Sequence, residues 1–187
     1  VIHQVNELKK NLSYASKIGF FFGAGTSCAF GLPNVATLTT DIGTTLQTPE
    51  QDRYTTIKSR LESLAASHAI TVEDILNHIR QIREITYERD DQSYGDLTGK
   101  NAKELDQEIC ARIFSILKSC EDSSDISLLQ KFFAWYTAVR CDGPKEIFTT
   151  NYDMLLEMAM EKSRIPYFDG FVGSYEPFFW PEGIDIS

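Results

Sequence analysis

The run Ile18-Gly19-Phe20-Phe21-Phe22-Gly23-Ala24-Gly25-Thr26-Ser27 constrains the fold of this chain more than any other stretch. Apolar, β-prone residues end abruptly in glycines and small hydroxyl residues. That is the pattern of a buried strand feeding a tight loop whose bare backbone admits a ligand at close range. A helix following such a loop turns free N–H groups and its positive end toward the ligand, a setting that favours phosphate. Strand character returns only at Glu146-Ile147-Phe148-Thr149-Thr150, after the Gly143-Pro144 breaker.

Between the two strands the periodicity is helical. Residues 3–14 precede the first strand and read as a helix through Val5, Leu8 and Leu12; the strand itself is expected at 17–22. Gly31 can stop a short helix after the loop, and Pro33 can open the next, over 34–46, at its first turn. From 50 to 140, Ile57, Leu61 and Leu64 mark one helix. Thr71 and Asp74 form a capping-box pattern ahead of Ile75, Leu76, Ile79, Ile82 and Ile85. The polar, glycine-containing stretch 88–101 reads as a loop, expected to be mobile. Leu105, Ile109, Ile113, Ile116 and Leu117 mark a third helix, and Leu128, Leu129, Phe132, Phe133 and Tyr136 a fourth. Past the second strand, a helix is expected over 152–163 and a short strand over 165–168, ahead of the aromatic stretch Tyr175–Pro181. Strand–loop–helix, helical insertion, strand–loop–helix predicts an α/β fold: one domain over 1–187 with a parallel sheet, flanking helices and an inserted helical subdomain at 50–140.

Composition narrows the partners. With 42% hydrophobic residues the chain can bury a core, and a formal charge of −9 repels nucleic acid and anionic membrane surfaces. No apolar stretch approaches the ~18 residues a membrane span needs. Cys28, Cys110, Cys120 and Cys141 contain no C-x-x-C pair, so neither a structural zinc site nor any other metal is expected, and a cytoplasmic protein with free thiols is.

In a parallel sheet, ligands bind beyond the carboxyl ends of the strands. Gly23–Ser27 and Thr149–Asp153 both follow strands and would share one crevice if the strands are neighbours. The crevice is not a P-loop, because Gly31 is followed by Leu32 and Pro33 rather than by lysine and a hydroxyl residue. Nor does it carry the G-x-G-x-x-G dinucleotide fingerprint, since Cys28 stands at the third glycine and no ribose-binding acid follows at the usual spacing. Residue type alone also allows a purely structural reading, in which Asn151 caps the following helix and Asp153 improves its dipole.

The paired motifs are more specific together. Gly23-Ala24-Gly25-Thr26-Ser27, then Gly31-Leu32-Pro33, then Thr149-Thr150-Asn151-Tyr152-Asp153 resembles the sirtuin (Sir2) superfamily, and most of all the SIR2-like domains of bacterial antiviral defence systems. The resemblance implies a Rossmann-like sheet with an NAD site. Gly23, Ala24, Gly25 and Ser27 would hold the pyrophosphate and its ribose, with Thr26, Pro33 and Thr150 also lining the site. Asn151 would face the nicotinamide ribose and a reactive water, and Asp153 would support the nicotinamide pocket or orient its loop. The implied reaction is NAD hydrolysis, which would deplete NAD in an infected cell. A non-catalytic sensor of NAD or ADP-ribose is an alternative, a protein deacylase a weaker one. A homo-oligomer or a partner defence protein is expected alongside.

The residue types suit that chemistry. Cleaving the nicotinamide–ribose bond passes through an oxocarbenium-like transition state. Asn151 could position a hydroxyl or water without competing charge, and a carboxylate such as Asp153 could stabilise the developing cation.

Three departures from the family stand out. Asn34-Val35-Ala36 replaces the acid and arginine that follow the G-[IL]-P step in deacetylases, no four-cysteine zinc module is present, and no histidine follows Asn151. The last predicts a domain that ends before its general base; His68 and His78, in the helical region, are the alternative candidates for that role.

Overall fold

The structure, a computed structural model, describes residues 3, 7, 18–65, 68–95, 97–140 and 143–183. The helix expected over 3–14 therefore lies outside the described residues except for His3 and Glu7, which are helical, and Cys141 lies outside them as well. In chain order the elements begin with β1 (Gly19–Phe22), α1 (Ala24–Ala29), α2 (Val35–Thr45), α3 (Glu50–Leu64) and α4 (Val72–Ile85). They continue with β2 (Ser93–Tyr94), β3 (Leu97–Thr98), α5 (Gly99–Ser123), α6 (Ser127–Ala138), β4 (Glu146–Thr149), α7 (Leu155–Lys162), β5 (Phe171–Val172) and β6 (Phe178–Phe179). The fold is mixed α/β and mostly helical. It divides into two compact units: an α/β unit of Val1–Phe30 and Asp125–Ser187, and a helical unit of Gly31–Ser124. The stretch expected as a helical insertion, 50–140, overlaps the helical unit, while its last helix, α6, belongs to the α/β unit.

In the α/β unit, β1 and β4 pair in parallel with Gly19 opposite Glu146 and Phe22 opposite Thr149. Alternation along β1 sends Phe20 and Phe22 to one face, where their rings meet Phe132, Phe133 and Tyr136 of α6 edge-on or tilted at centroid distances of 4.9–6.5 Å. Tyr136 also ties the strand entrances together. Its buried hydroxyl lies 2.5 Å from the carbonyl of Ile18 and 3.2 Å from that of Glu146. Lys145 donates to the carbonyls of Tyr136 and Thr137, closing the C-terminal end of α6. Behind α6, the buried Leu155, Leu156, Ala159 and Met160 form the apolar side of α7.

The helical unit is built on strong local signals. The Thr71 hydroxyl accepts from the Asp74 N–H while the Asp74 carboxylate accepts from the Thr71 N–H, completing the predicted capping box. Asn34 caps α2 and Thr98 caps α5 in the same manner. Val72, Ile75, Ile79 and Ile82 fall on one stripe of α4 and share a core with Leu38, Ile42, Tyr54, Ala102, Leu105 and Ile109. Each such aliphatic side chain contributes about 1.5–3 kcal/mol by leaving water.

Four local expectations change. Residues 88–101 are not all loop. They include the β2–β3 hairpin and the start of α5, and Glu88 is gripped by Arg83 and by Lys103, the latter at 2.6 Å. Gly99 is required there, because a Cβ would overlap the Thr86 hydroxyl and the Arg89 backbone. Pro33 does not open α2, since Asn34 takes the cap and the helix starts at Val35. Residues 165–168 form no strand: Pro166 has no N–H to give a ladder, and the pairing falls instead between Phe171–Val172 and Phe178–Phe179. The helix expected from 152 starts at Leu155, after a turn in which the Asp153 carboxylate accepts the Leu155 N–H. No helix among the described residues is long and apolar enough to cross a membrane.

Candidate functional site

The parallel pairing of β1 with β4 brings the glycine loop and the Thr149–Asp153 loop to the same end of the sheet. The Thr150 N–H extends the pairing by donating to the Phe22 carbonyl at 3.3 Å. Beyond that rung the chains diverge into side-chain contacts. Asn151 Nδ2 donates to the Gly23 carbonyl at 3.1 Å and to Ser27 Oγ at 2.8 Å. The Ser27 hydroxyl donates to Asp153 Oδ2 at 2.5 Å. The other Asp153 oxygen accepts the Leu155 N–H at 3.2 Å. Three polar side chains from two distant stretches thus form one connected chain of hydrogen bonds, with Ser27 buried at its centre and Asn151 and Asp153 half-buried on either side.

Local structure fixes each member. The Asn151 N–H donates to Thr149 Oγ1 at 3.0 Å, a hydroxyl turn that swings the chain out of β4. Ser27 lies on α1, whose first turn is closed by the Thr26 N–H donating to the Gly23 carbonyl at 2.9 Å. With six residues, α1 has little macrodipole, so anion binding here would rest on exposed backbone more than on a helix end.

The glycines are informative because nothing in the described residues requires them. Gly23 has an extended backbone that any residue adopts, and a Cβ on it would make ordinary contact with the Phe21 ring at 3.8 Å. A Cβ on Gly25 would meet nothing within 4 Å. Yet glycine inside a helix costs about 1 kcal/mol relative to alanine. Gly25 therefore leaves the first turn of α1 without a side chain where space is open.

The remaining predicted residues divide. Ala24 and Gly25 are exposed in the first turn of α1, Thr26 is half-buried beside them, and Thr150 is exposed after β4. Pro33 belongs to the helical unit and is not a member of this cluster. His68 and His78 are also on the helical unit. Partial burial, and then the nearby Arg60 charge, lower the pKa of His78. Asn151 does not cap α7; Asp153 does satisfy its first N–H while also holding Ser27, so the structural reading applies to Asp153 in part.

Thr149 is the member that sequence reasoning passed over. The position of Thr149, two residues before Asn151, is a hydroxyl-turn signal that was there to be read. Tyr136 sits on an ordinary apolar stripe, and no local signal marks its hydroxyl as the link between strands.

Among the described residues, no group of three or more His, Cys, Asp or Glu is placed to hold a metal ion. An open groove of about 570 Å³ lies on the helical unit, lined by Gln47, Glu50, Glu104, Glu108 and Arg112, and shares no residue with the Ser27 cluster. Its acidic, solvent-open lining has none of the glycines that mark the loop after β1. The chain matches no known family model, and no curated protein matches it.

Proposed function

We propose that the α/β unit is a Rossmann-like NAD site that hydrolyses the nicotinamide–ribose bond, giving ADP-ribose, nicotinamide and a proton from NAD and water. The observation that carries this reading is the joining of the two strand-end loops through Ser27, Asn151 and Asp153. Beside that cluster lies a loop whose glycines answer to no contact within the described residues. The sheet-end position is where parallel α/β folds bind nucleotides.

Ala24, Gly25 and Thr26 would lie along the pyrophosphate, with Gly23 and Thr150 at the edges. Asn151 supports recognition of a ribose hydroxyl. Nicotinamide departs as a neutral base, so the reaction requires stabilisation of the ribosyl cation and delivery of water rather than a proton donor to the leaving group. Acting as an NAD-depleting effector in antiphage defence, in the cytoplasm and as part of an oligomer or with a partner protein, is the setting that the family resemblance suggests for this chemistry.

One observation favours a second reading. Both Asp153 oxygens are engaged, one by Ser27 and one by the Leu155 N–H, so this carboxylate is poorly placed to serve as a general base. A site with recognition but no base would be a sensor of NAD or ADP-ribose that controls an attached or partner domain. Calorimetric titration with NAD and ADP-ribose, combined with a nicotinamide-release assay, separates the two. Release that disappears in Asn151→Ala supports hydrolysis. Saturable binding without release supports the sensor. No binding of either ligand removes both.

A further inference from the structure

The hydrogen-bond chain through Ser27 has a fixed polarity, and it can be read from its two ends. The Gly23 carbonyl oxygen can only accept, so the Asn151 atom 3.1 Å from it is the nitrogen. That same nitrogen is 2.8 Å from Ser27 Oγ and can only donate, so the serine oxygen accepts there. The single Ser27 proton is then left for Asp153 Oδ2, the carboxyl oxygen that accepts it at 2.5 Å. Two accepting ends therefore determine every proton between them. Both Asn151 N–H groups point inward, and Oδ1 is the part of the amide left to face a ligand. Among the described residues, no hydrogen bond uses that oxygen.

We infer that Ser27 is a positioning residue, not a phosphate ligand: with its proton committed to Asp153, its oxygen accepts from Asn151 and so locks the Asn151 amide with the amide oxygen outward. The Ser27 side chain is buried at 7% exposure. Nothing is left over to grip a pyrophosphate, which falls to the exposed backbone of Ala24 and Gly25. An outward acceptor selects a ligand that offers a donor at this point, such as a ribose hydroxyl or a water, and disfavours an anionic oxygen. The link from Ser27 to catalysis rests on the NAD reading above; the hydrogen-bond polarity does not.

The test reads Asn151 directly. In the whole chain, the ¹⁵N–¹H signals of the Asn151 side-chain amide are identified by their loss in Asn151→Ser. Ser27→Ala frees one amide proton, so those signals shift and exchange faster with water, whereas Ser27→Thr keeps a hydroxyl and retains them. Asp153→Asn is the sharper arm. Residue 153 makes no hydrogen bond to Asn151, yet its substitution removes the accepting carboxyl and disturbs the same amide signals. In the Ser27→Ala background, Asp153→Asn adds no further change. In the release assay, Ser27→Ala lowers kcat by about tenfold or more through misplacement of the amide, with KM little changed. The inference is overturned if Asp153→Asn leaves the Asn151 amide unmoved in a folded protein. It is equally overturned if Ser27→Ala leaves that amide unmoved while weakening inorganic pyrophosphate binding. If the wild-type chain neither binds nor cleaves NAD, the functional reading fails, while the amide signals still decide the role of Ser27.

Discussion

The helical unit and the α/β unit differ in how they cover their apolar surface, although the helical unit too exposes Leu64, Ile85, Tyr87 and Phe114. On the helical unit, Leu38, Ile42, Ile75, Ile79, Leu105 and Ile109 are essentially fully buried, helix ends are capped, and the Thr86–Thr98 connection is tied down by ion pairs. Even its buried Asp106 sits between Arg80 and Arg83. On the α/β unit, among the described residues, the β1–β4 sheet is packed on one face, against α6. Phe21 and Phe148 stand side by side on the other at 68% and 54% exposure, and Phe171, Phe178 and Phe179 are exposed as well. Parallel strands are normally buried on both faces, and two strands alone are marginal. The difference teaches where each unit commits its side chains. The helical unit gives them to its own stability, whereas the α/β unit leaves backbone, an amide and a carboxylate arranged at the strand ends.

That contrast can be broken by substitution. The largest expected effect is on the helical side: Ile79→Ala or Ile109→Ala should cost about 2–5 kcal/mol in denaturant unfolding, because each opens a void in a close-packed core. The paired change Phe21→Ser, on the bare face, should cost well under half as much, since an exposed ring has little burial to lose. Equal costs would mean that the face is covered in solution and that the contrast is false.

Next in size is Asn151→Ala. It should reduce nicotinamide release by about a hundredfold, which corresponds to roughly 3 kcal/mol of transition-state positioning. Its cost to folding should be smaller, about 1–2 kcal/mol for two partly exposed hydrogen bonds. A melting experiment beside the assay checks both parts.

Gly25→Ala sharpens the comparison further because its two effects should have opposite signs. Replacing a helical glycine whose Cβ direction is open should stabilise the fold by about 1 kcal/mol. The same methyl, standing on the first turn of α1, should weaken NAD binding in a calorimetric titration. Unchanged affinity would place the ligand elsewhere.

Smallest is a pH effect on the helical unit. Hydrogen bonds from Lys103 and Arg83 hold the Glu88 carboxyl below its ordinary value, and those from Thr71 lower Asp74. Groups with depressed folded values stabilise above their unfolded pKa, and that support is lost as pH falls through the folded value. The melting temperature should therefore start to fall as pH drops below the ordinary carboxylate range, and Glu88→Gln should flatten part of that slope. At the alkaline end the sign reverses for Tyr54, whose hydroxyl donates to the Thr39 carbonyl and whose pKa burial pushes up to about 12. Its contribution is complete below the ordinary tyrosine value and lost as pH rises through the folded one.

Much of the helical unit was legible in the sequence because its signals are local. Ile75, Leu76, Ile79 and Ile82 recur at helical spacing, and Thr71 with Asp74 is a short-range cap. The hairpin within 88–101 escaped the sequence reading, as did the ion pairs of Glu88 with Arg83 and Lys103, because no composition rule connects these residues. For the site, the residue types and their order along the chain pointed to Asn151, Asp153 and the glycine loop. The family resemblance assigned Ser27 to the pyrophosphate and its ribose, whereas only the structure shows its hydroxyl between Asn151 and Asp153.

By itself, then, the sequence determined that a strand ends in a glycine loop at Gly23, that a second strand ends at Asn151, and that capped amphipathic helices lie between. These follow from side-chain size, β-branching and periodicity, all of which act over a few residues. Only the tertiary structure decided that the two strands are parallel neighbours, that the Tyr136 hydroxyl reaches both of them, and that Ser27 stands between Asn151 and Asp153. Hydrogen bonds between residues more than a hundred positions apart depend on where the whole chain packs, and no local pattern carries that information.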